Sequence, residues 1–186
     1  MNEEALRTGN GVKQELLRSL QGPALVLGDQ VNTDELHPSS YYSLDPQRVR
    51  AGFLKHVEGL EKAASHTFHG QIVLAGQHLG IGSSRETGAQ VFVLAGVQAV
   101  VAVSFARIFQ RNLLNLGLLA LRCPALEAVY PVVQGEVVTL EVGASGGTLS
   151  LRGQSLPLLP LDPYWWEVVQ AGGLLARLER AGSFAL

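Results

Sequence analysis

Short apolar runs separated by polar loops predict a mixed α/β fold. Four of these runs have the length of a strand and are rich in leucine, valine, alanine and isoleucine, and they lie at 23–27, 71–75, 99–103 and 118–121. Helices are predicted at 87–95 and 104–116, each between two of these strands. Because a strand, helix, strand order is typical of a βαβ unit, we expect a core of parallel strands.

The flanking segments predict further elements. Apolar residues that recur on one helical face predict a helix from Gln47 to about Ala64. The C-terminal third predicts a hairpin, an edge or irregular segment and a closing helix that two glycines divide, at 137–152, 156–161 and 163–181. Residues 1–22 are predicted to be an N-terminal extension of a single domain at 23–186, and the spacing of Val12, Leu16 and Leu20 favours a short amphipathic helix there.

Composition narrows the classes of function. The 186 residues are 47% apolar and 16% charged with a net charge of −2, which favours a compact core and leaves no basic block for nucleic acid. The single cysteine, Cys123, excludes an intrachain disulfide and cannot by itself hold zinc or an iron–sulfur cluster, and it fits a cytosolic protein. We expect no membrane span and no signal peptide, because no segment has the required apolar length.

Three polar clusters directly follow apolar strands. They are Asn-Thr-Asp-Glu at 32–35, Ser-Ser-Arg-Glu at 83–86 and Ser-Phe-Ala-Arg-Ile-Phe-Gln-Arg-Asn at 104–112. Since the carboxyl ends of parallel strands share one edge of a sheet, we expect these clusters to line one pocket. Arginines and hydroxyl groups in such a pocket suit a polycarboxylate. No Ser-His-Asp or Cys-His pattern of a nucleophilic enzyme accompanies them.

Each cluster also has a purely structural interpretation. The serines at 83–84 could cap the following helix with Glu86 in its first turn, and Asp34 could only shape an Asx turn. Arg107 and Arg111 are four residues apart and could both face solvent on one helix face. A serine could act as a base only where neighbouring N–H groups or a guanidinium stabilise its alkoxide.

The histidines do not predict a metal site. His66 and His69 are three residues apart but flank a turn at Gly70, and no carboxylate has the matching spacing. We therefore expect them, together with His37 and His78, to be surface residues.

The motifs resemble those of the small subunit of the 3-isopropylmalate dehydratase and homoaconitase group in the aconitase superfamily. They are Gly-Asp-Gln-Val-Asn-Thr-Asp-Glu at 28–35, Gly-Ser-Ser-Arg-Glu at 82–86, Ser-Phe-Ala-Arg-Ile-Phe-Gln-Arg-Asn at 104–112 and Gly-Leu-Leu at 117–119. The resemblance implies the swivelling β/β/α domain of the aconitase C-terminal type. It also implies a hydro-lyase that moves a hydroxyl between adjacent carbons of a hydroxy acid by dehydration and rehydration.

The resemblance implies roles for individual residues. Ser83 would be the base that removes the substrate proton, and Asp34 would assist it as a second catalytic residue. The substrate-binding side chains would be those of Thr33, Ser84, Arg85 and Arg107. A [4Fe–4S] cluster would lie on a separate large subunit, in a heterodimer or heterotetramer, and the chain alone could form a homo-oligomer.

Three departures from the family pattern concern the identity of the substrate. Thr87 replaces the usual histidine, Val103 replaces the usual lysine, and 41–44 lacks the arginine that would pair with an extra carboxylate. The missing arginine and the apolar and tyrosine character of 41–44 favour an alkyl-bearing substrate such as 2-isopropylmalate, whereas the three changes together also admit a paralogue that acts on another hydroxy acid. Homoaconitase or another alkylmalate or alkylcitrate dehydratase is the alternative, and a non-catalytic swivel domain that binds an anion or a partner is an alternative of another class.

Overall fold

A computed structural model describes residues 18–60, 68–143 and 145–182. Its strands are β1 (Arg18–Leu27), β2 (Ile72–Ala75), β3 (Ala99–Ala102), β4 (Leu119–Arg122), β5 (Val137–Gly143), β6 (Gly146–Leu151) and β7 (Gln154–Leu158). Its α-helices are α1 (Thr33–Leu36), α2 (Pro46–Ala51), α3 (Thr87–Ala95), α4 (Arg107–Asn115), α5 (Pro163–Ala171) and α6 (Leu174–Arg180). Two 3-10 helices lie at Ser39–Tyr41 and Pro124–Val129. The predicted α/β class is confirmed.

The seven strands form one curled sheet in the order β4-β3-β2-β1-β5-β6-β7. Strands β1 to β4 are parallel, whereas β5 to β7 are antiparallel, and β1 joins the two halves. Its first six residues pair with β5, and its last four pair with β2. The outer strands approach each other, because the backbone N–H of Leu159 donates to the carbonyl of Arg122 over 2.8 Å.

The core lies around β2 and β3, whose eight residues are all buried. These strands are apolar throughout because protein covers both faces of the parallel half of the sheet. On one face, edge-to-face ring contacts connect Phe53 to Phe92 and Phe92 to Phe109, with centroids 4.8 and 5.8 Å apart. These ring contacts pack α3 against α4 and against the turn that follows α2.

The first strand begins earlier than predicted. The strand expected from position 23 starts at Arg18, so residues 18–22, which we assigned to the extension, belong to the sheet. Leu20, the last position of the predicted amphipathic helix, pairs with Leu140 in β5. Val12 and Leu16 lie outside the described residues.

The helix predicted from Gln47 to about Ala64 is wrong in length. Helix α2 ends at Ala51, and turns follow to residue 60. Leu54 has φ +60°, which is incompatible with a right-handed helix, and its N–H donates to the carbonyl of Leu36 over 2.8 Å. The apolar side chains beyond Ala51 therefore reach the core from a series of turns rather than from one face of a helix. Residues 61–64 lie outside the described residues.

The other predicted elements agree with the structure. The parallel pairing of β2 and β3, the hairpin of β5 and β6, and the edge strand β7 are all present. The closing helix is divided into α5 and α6 at Gly172, whose φ of +91° ends α5 in a left-handed cap.

Candidate active site

The three polar clusters meet at the carboxyl edge of the parallel strands. Beyond the strands proper, parallel bridges join Asn32 to Ile81 and Leu79 to Phe105. The loops after β1, β2 and β3 therefore lie side by side in that order, and each leads into a helix. The predicted convergence of the loops is confirmed.

The first loop is held by a capping box at the start of α1. The Asn32 side-chain oxygen accepts from the N–H groups of Asp34 and Glu35, at 2.8 and 2.9 Å, and Glu35 accepts from the Asn32 N–H at 2.7 Å. Because Asn32 supplies the cap, the Asp34 carboxylate is not needed to shape the turn and is free to face the site. This role of Asn32 and Glu35 was not predicted, although two such residues three positions apart are the sequence signal of a capping box.

Ser83 is the centre of the second loop. Its Oγ accepts from the backbone N–H of Arg85 over 3.2 Å and from the guanidinium Nε of Arg85 over 2.9 Å. The structural alternative, in which a serine caps α3, is wrong, because α3 begins at Thr87 with Glu86 as its N-cap and has no side-chain cap. Two donors on one hydroxyl oxygen, one of them charged, favour its deprotonated form.

Thr33 ties the first loop to the second. Its side chain is only 2% exposed, and its hydroxyl oxygen accepts from the backbone N–H of Ser83 over 2.9 Å. A side chain at Gly82 would crowd this hydroxyl, since a Cβ there would lie 3.2 Å from it. The structure thus gives Thr33 a positioning contact with Ser83, while direct contact with a substrate stays a prediction.

Arg85 lies between an aromatic ring and a carboxylate. Its guanidinium is 4.7 Å from the centre of the Tyr42 ring, and its Nη2 is 3.9 Å from Asp34 Oδ1. The Arg85 and Asp34 side chains are 55% and 63% exposed, so this ion pair contributes little stability and remains accessible to a ligand. The contact with Tyr42 is not evident from the sequence, because it depends on the path of the chain between α1 and α2.

Tyr42 is supported in turn by His37. The two rings stack with centroids 5.3 Å apart, and His37 Nε2 lies 2.9 Å from the carbonyl of Val49. The expectation that His37 is a surface residue is wrong, because it is fully buried. Burial lowers the pKa of His37 despite the bond to Val49, so the ring is neutral near pH 7. The carbonyl partner requires that Nε2 carries the proton. His69 and His78 are exposed, and His66 lies outside the described residues.

The third loop contributes through Asn112 rather than through its arginines. The Asn112 amide donates to the Ser84 carbonyl over 3.4 Å, and the exposed Ser84 hydroxyl makes no hydrogen bond within the described ranges. Arg107 has no hydrogen bond or ion pair to any described residue, and it lines a neighbouring groove together with Arg111. The structure thus brings Thr33, Asp34, Ser83 and Arg85 together, and Ser84 beside them, but leaves Arg107 outside this set.

The chain's own residues do not fit an iron–sulfur cluster. Cys123 is buried, and burial raises the pKa of its thiol. Within residues 18–60, 68–143 and 145–182, no group of three or more His, Cys, Asp or Glu side chains is arranged to hold a metal ion. None of the helices in the described part of the chain has the length and apolar character needed to cross a membrane.

Known proteins share this architecture. The aconitase C-terminal domain matches residues 30–126, which include all three loops. The 3-isopropylmalate dehydratase small subunit of Moorella thermoacetica is 34% identical over 162 residues, which cover 87% of this chain and 95% of that protein. The chain belongs to the family of 3-isopropylmalate dehydratase small subunits. Small subunit 1 of Methanopyrus kandleri is 35% identical over 166 residues, 88% of this chain and 94% of that protein.

A solved member of the small-subunit family has the same fold. The crystal structure of 3-isopropylmalate dehydratase from Methanocaldococcus jannaschii superposes with a TM-score of 0.75 at 26% identity, covering 89% of this chain and 96% of that one. The predicted domain type is therefore confirmed. Two of the three departures from the family motifs, Thr87 and Val103, lie at the start of α3 and just after β3. The Thr87 hydroxyl is buried without a hydrogen-bond partner in the described residues, and Val103 is half-buried.

Proposed function

We propose that this chain is the small subunit of a hydro-lyase that converts 2-isopropylmalate into 3-isopropylmalate by dehydration and rehydration, in leucine biosynthesis. The observation that carries the proposal is the hydroxyl of Ser83, which accepts from the backbone N–H and the guanidinium of Arg85 at the sheet edge. Membership in the small-subunit family supports the reaction class.

In this proposal Ser83 is the base. A serine hydroxyl is a very weak acid, so its alkoxide needs a strong local field, and the two Arg85 donors supply one. The alkoxide takes a proton from the carbon next to a substrate carboxylate, which begins the loss of the hydroxyl on the neighbouring carbon. Returning the proton in the hydration step regenerates the alkoxide.

The neighbouring side chains bind and orient the substrate. The Ser84 hydroxyl has no described partner, and the terminal nitrogens of Arg85 make only a long contact with Asp34, so both groups are available to a carboxylate. Asp34 lies 3.9 Å from Arg85 and assists at the site as the second catalytic residue of the proposal. The Thr33 hydroxyl fixes the backbone of Ser83 by accepting a hydrogen bond from its N–H.

A large subunit completes the site in this proposal. The large subunit carries the [4Fe–4S] cluster, because this chain has a single cysteine, Cys123, and that cysteine is buried. The roles proposed for this chain's own residues do not involve the cluster. The assembly is a heterodimer or heterotetramer, and cytosolic residence goes with a biosynthetic enzyme. We expect the isolated chain to be colourless and inactive, whatever its own oligomeric state.

The stretch at 41–44 supports an alkyl substituent on the substrate. It contains no arginine, its tyrosines are half-buried, and Leu44 is fully exposed beside them. A homoaconitase or aconitase substrate has an additional carboxylate, which would lack a cationic partner in this stretch. This difference is the reason for preferring isopropylmalate.

A substrate panel tests the proposal. The chain is combined with its cognate cluster-loaded large subunit, and turnover of 2-isopropylmalate, homocitrate, citrate and citramalate is compared. We expect the highest kcat/KM for 2-isopropylmalate. A preference for homocitrate would establish the alternative, and absence of turnover with all four acids would contradict the proposed activity.

A further inference from the structure

A groove beside the active site is lined by three arginines. It has a volume of about 190 Å³ and lies between α4, the end of β4 and the segment that joins β7 to α5. Its principal lining residues are Arg107, Arg111, Arg122, Leu159, Asp162 and Trp165. We call it the arginine groove.

The arginines of this groove have no anionic partner within the described residues. Two arginines elsewhere do have a carboxylate partner: Arg152 binds Glu136 through two nitrogens, and Arg177 binds Glu167 at 2.8 Å. The groove's one carboxylate, Asp162, caps α5 by accepting from the N–H of Tyr164 over 2.8 Å. Three guanidinium groups against one engaged carboxylate leave a net positive charge that an acidic ligand could neutralise.

Helix α4 connects the groove to the active site. Arg107, Ile108 and Arg111 lie on its exposed side, whereas Asn112 on the same helix bonds the Ser84 carbonyl. Ile108 lies between these two arginines along the helix and is 51% exposed. The exposed side of α4 therefore combines an apolar centre with charged flanks, beside the residues that must face substrate.

We propose that the arginine groove and Ile108 form a docking surface for the large subunit, which presents carboxylate side chains to the arginines and an apolar residue to Ile108. This inference rests on the proposed function, because that function requires a large subunit next to Ser83. Arginine flanking an exposed aliphatic residue is typical of protein interfaces, where charge complementarity sets orientation and association rate. A small anion would use the guanidinium groups and leave Ile108 exposed.

Binding to the cognate cluster-loaded large subunit tests this surface. The Arg111→Glu/Arg122→Glu variant is compared with the wild type by biolayer interferometry at low and high salt. We expect a Kd about 100-fold higher, roughly tenfold for each reversed charge, with a weaker dependence on salt. At a saturating concentration of large subunit, kcat should stay within about twofold of the wild type, since neither arginine contacts Ser83 or Arg85.

Two further variants keep the test decisive. Arg18→Glu reverses a charge at the opposite end of β1, where Arg18 pairs with Val142 of β5, and should leave Kd unchanged. If the glutamate pair impairs folding, as judged by circular dichroism, Arg111→Gln/Arg122→Gln is used and should raise Kd about tenfold.

Each outcome separates this inference from the proposed function. An unchanged Kd in both arginine variants would overturn the docking surface while the wild-type enzyme still turns over 2-isopropylmalate. An unchanged Kd with a raised KM would also overturn it, because the groove would then be a small-anion site. Failure of the wild type to act on any hydroxy acid would contradict the proposed function, whatever the Kd.

Discussion

Replacing Thr33 with valine should lower kcat by about fivefold to thirtyfold. Valine has nearly the same shape as threonine but lacks the hydroxyl that accepts from the Ser83 N–H over 2.9 Å. Thr33 is 2% exposed, so water cannot readily take the place of the lost acceptor. An unsatisfied, partly buried N–H costs about 1–2 kcal/mol, and 1.4 kcal/mol corresponds to a tenfold change in rate. The loss should appear in kcat rather than KM, since Thr33 acts on the position of the base.

The matched control is Thr33→Ser, which keeps the hydroxyl and removes a buried methyl group. Deleting that methyl should cost about 0.8 kcal/mol or slightly more in the free energy of unfolding while kcat stays within about threefold. Steady-state kinetics with the large subunit and urea unfolding of the isolated chain provide the two measurements. The reasoning is refuted if Thr33→Val keeps the wild-type kcat, or if Thr33→Ser loses as much kcat as the valine variant.

Three further predictions concern the supports of the site. Gly80→Ala should destabilise the chain by about 2–4 kcal/mol in urea unfolding, because φ is +82° and a Cβ would clash with the Phe109 ring, and a wild-type midpoint would contradict this. Tyr42→Leu should lower kcat about twofold to fivefold by removing the ring under Arg85, whereas Tyr42→Phe should match the wild type. Burial lowers the pKa of His37, so below about pH 6.5 the unfolded state binds more protons than the folded state. The free energy of unfolding should therefore fall as the pH drops through that value, by at most about 1.4 kcal/mol per pH unit. His37→Gln should flatten that dependence, and an identical pH profile would contradict the assignment.

The parallel half of the fold could be predicted because its strands are buried on both faces. A run such as Ile-Val-Leu-Ala at 72–75 can be identified as a strand without knowing which strands it pairs with. The first part of β1 is different, because residues 18–22 alternate in exposure and pair with β5, more than a hundred positions away. The local sequence pattern around residues 18–22 cannot show that β5 is their pairing partner. The helix predicted beyond Ala51 failed for a similar reason, since the long-range bond from Leu54 to Leu36 decides the backbone there.

The candidate site was predictable to the extent that its residues lie in the loops that follow parallel strands. Asp34, Ser83 and Arg85 lie in the loops after β1 and β2, close to the parallel bridge between Asn32 and Ile81, and parallel strands bring such loops together. The contacts of Tyr42 and His37 were not predictable, because the irregular segment between α1 and α2 has no periodicity that reports its path. Arg107 was also chosen because it follows a strand; the direction of α4 takes it into the arginine groove, and its contact with a substrate stays a prediction.

The most direct test of the central claim is the turnover of 2-isopropylmalate by the reconstituted two-chain enzyme with Ser83→Ala. Removal of a general base should lower kcat by roughly 10²–10⁴-fold while the large subunit still binds. Ser150→Ala, which changes an exposed serine on β6, serves as the control and should keep the wild-type kcat. Wild-type turnover by the Ser83→Ala enzyme would contradict the account.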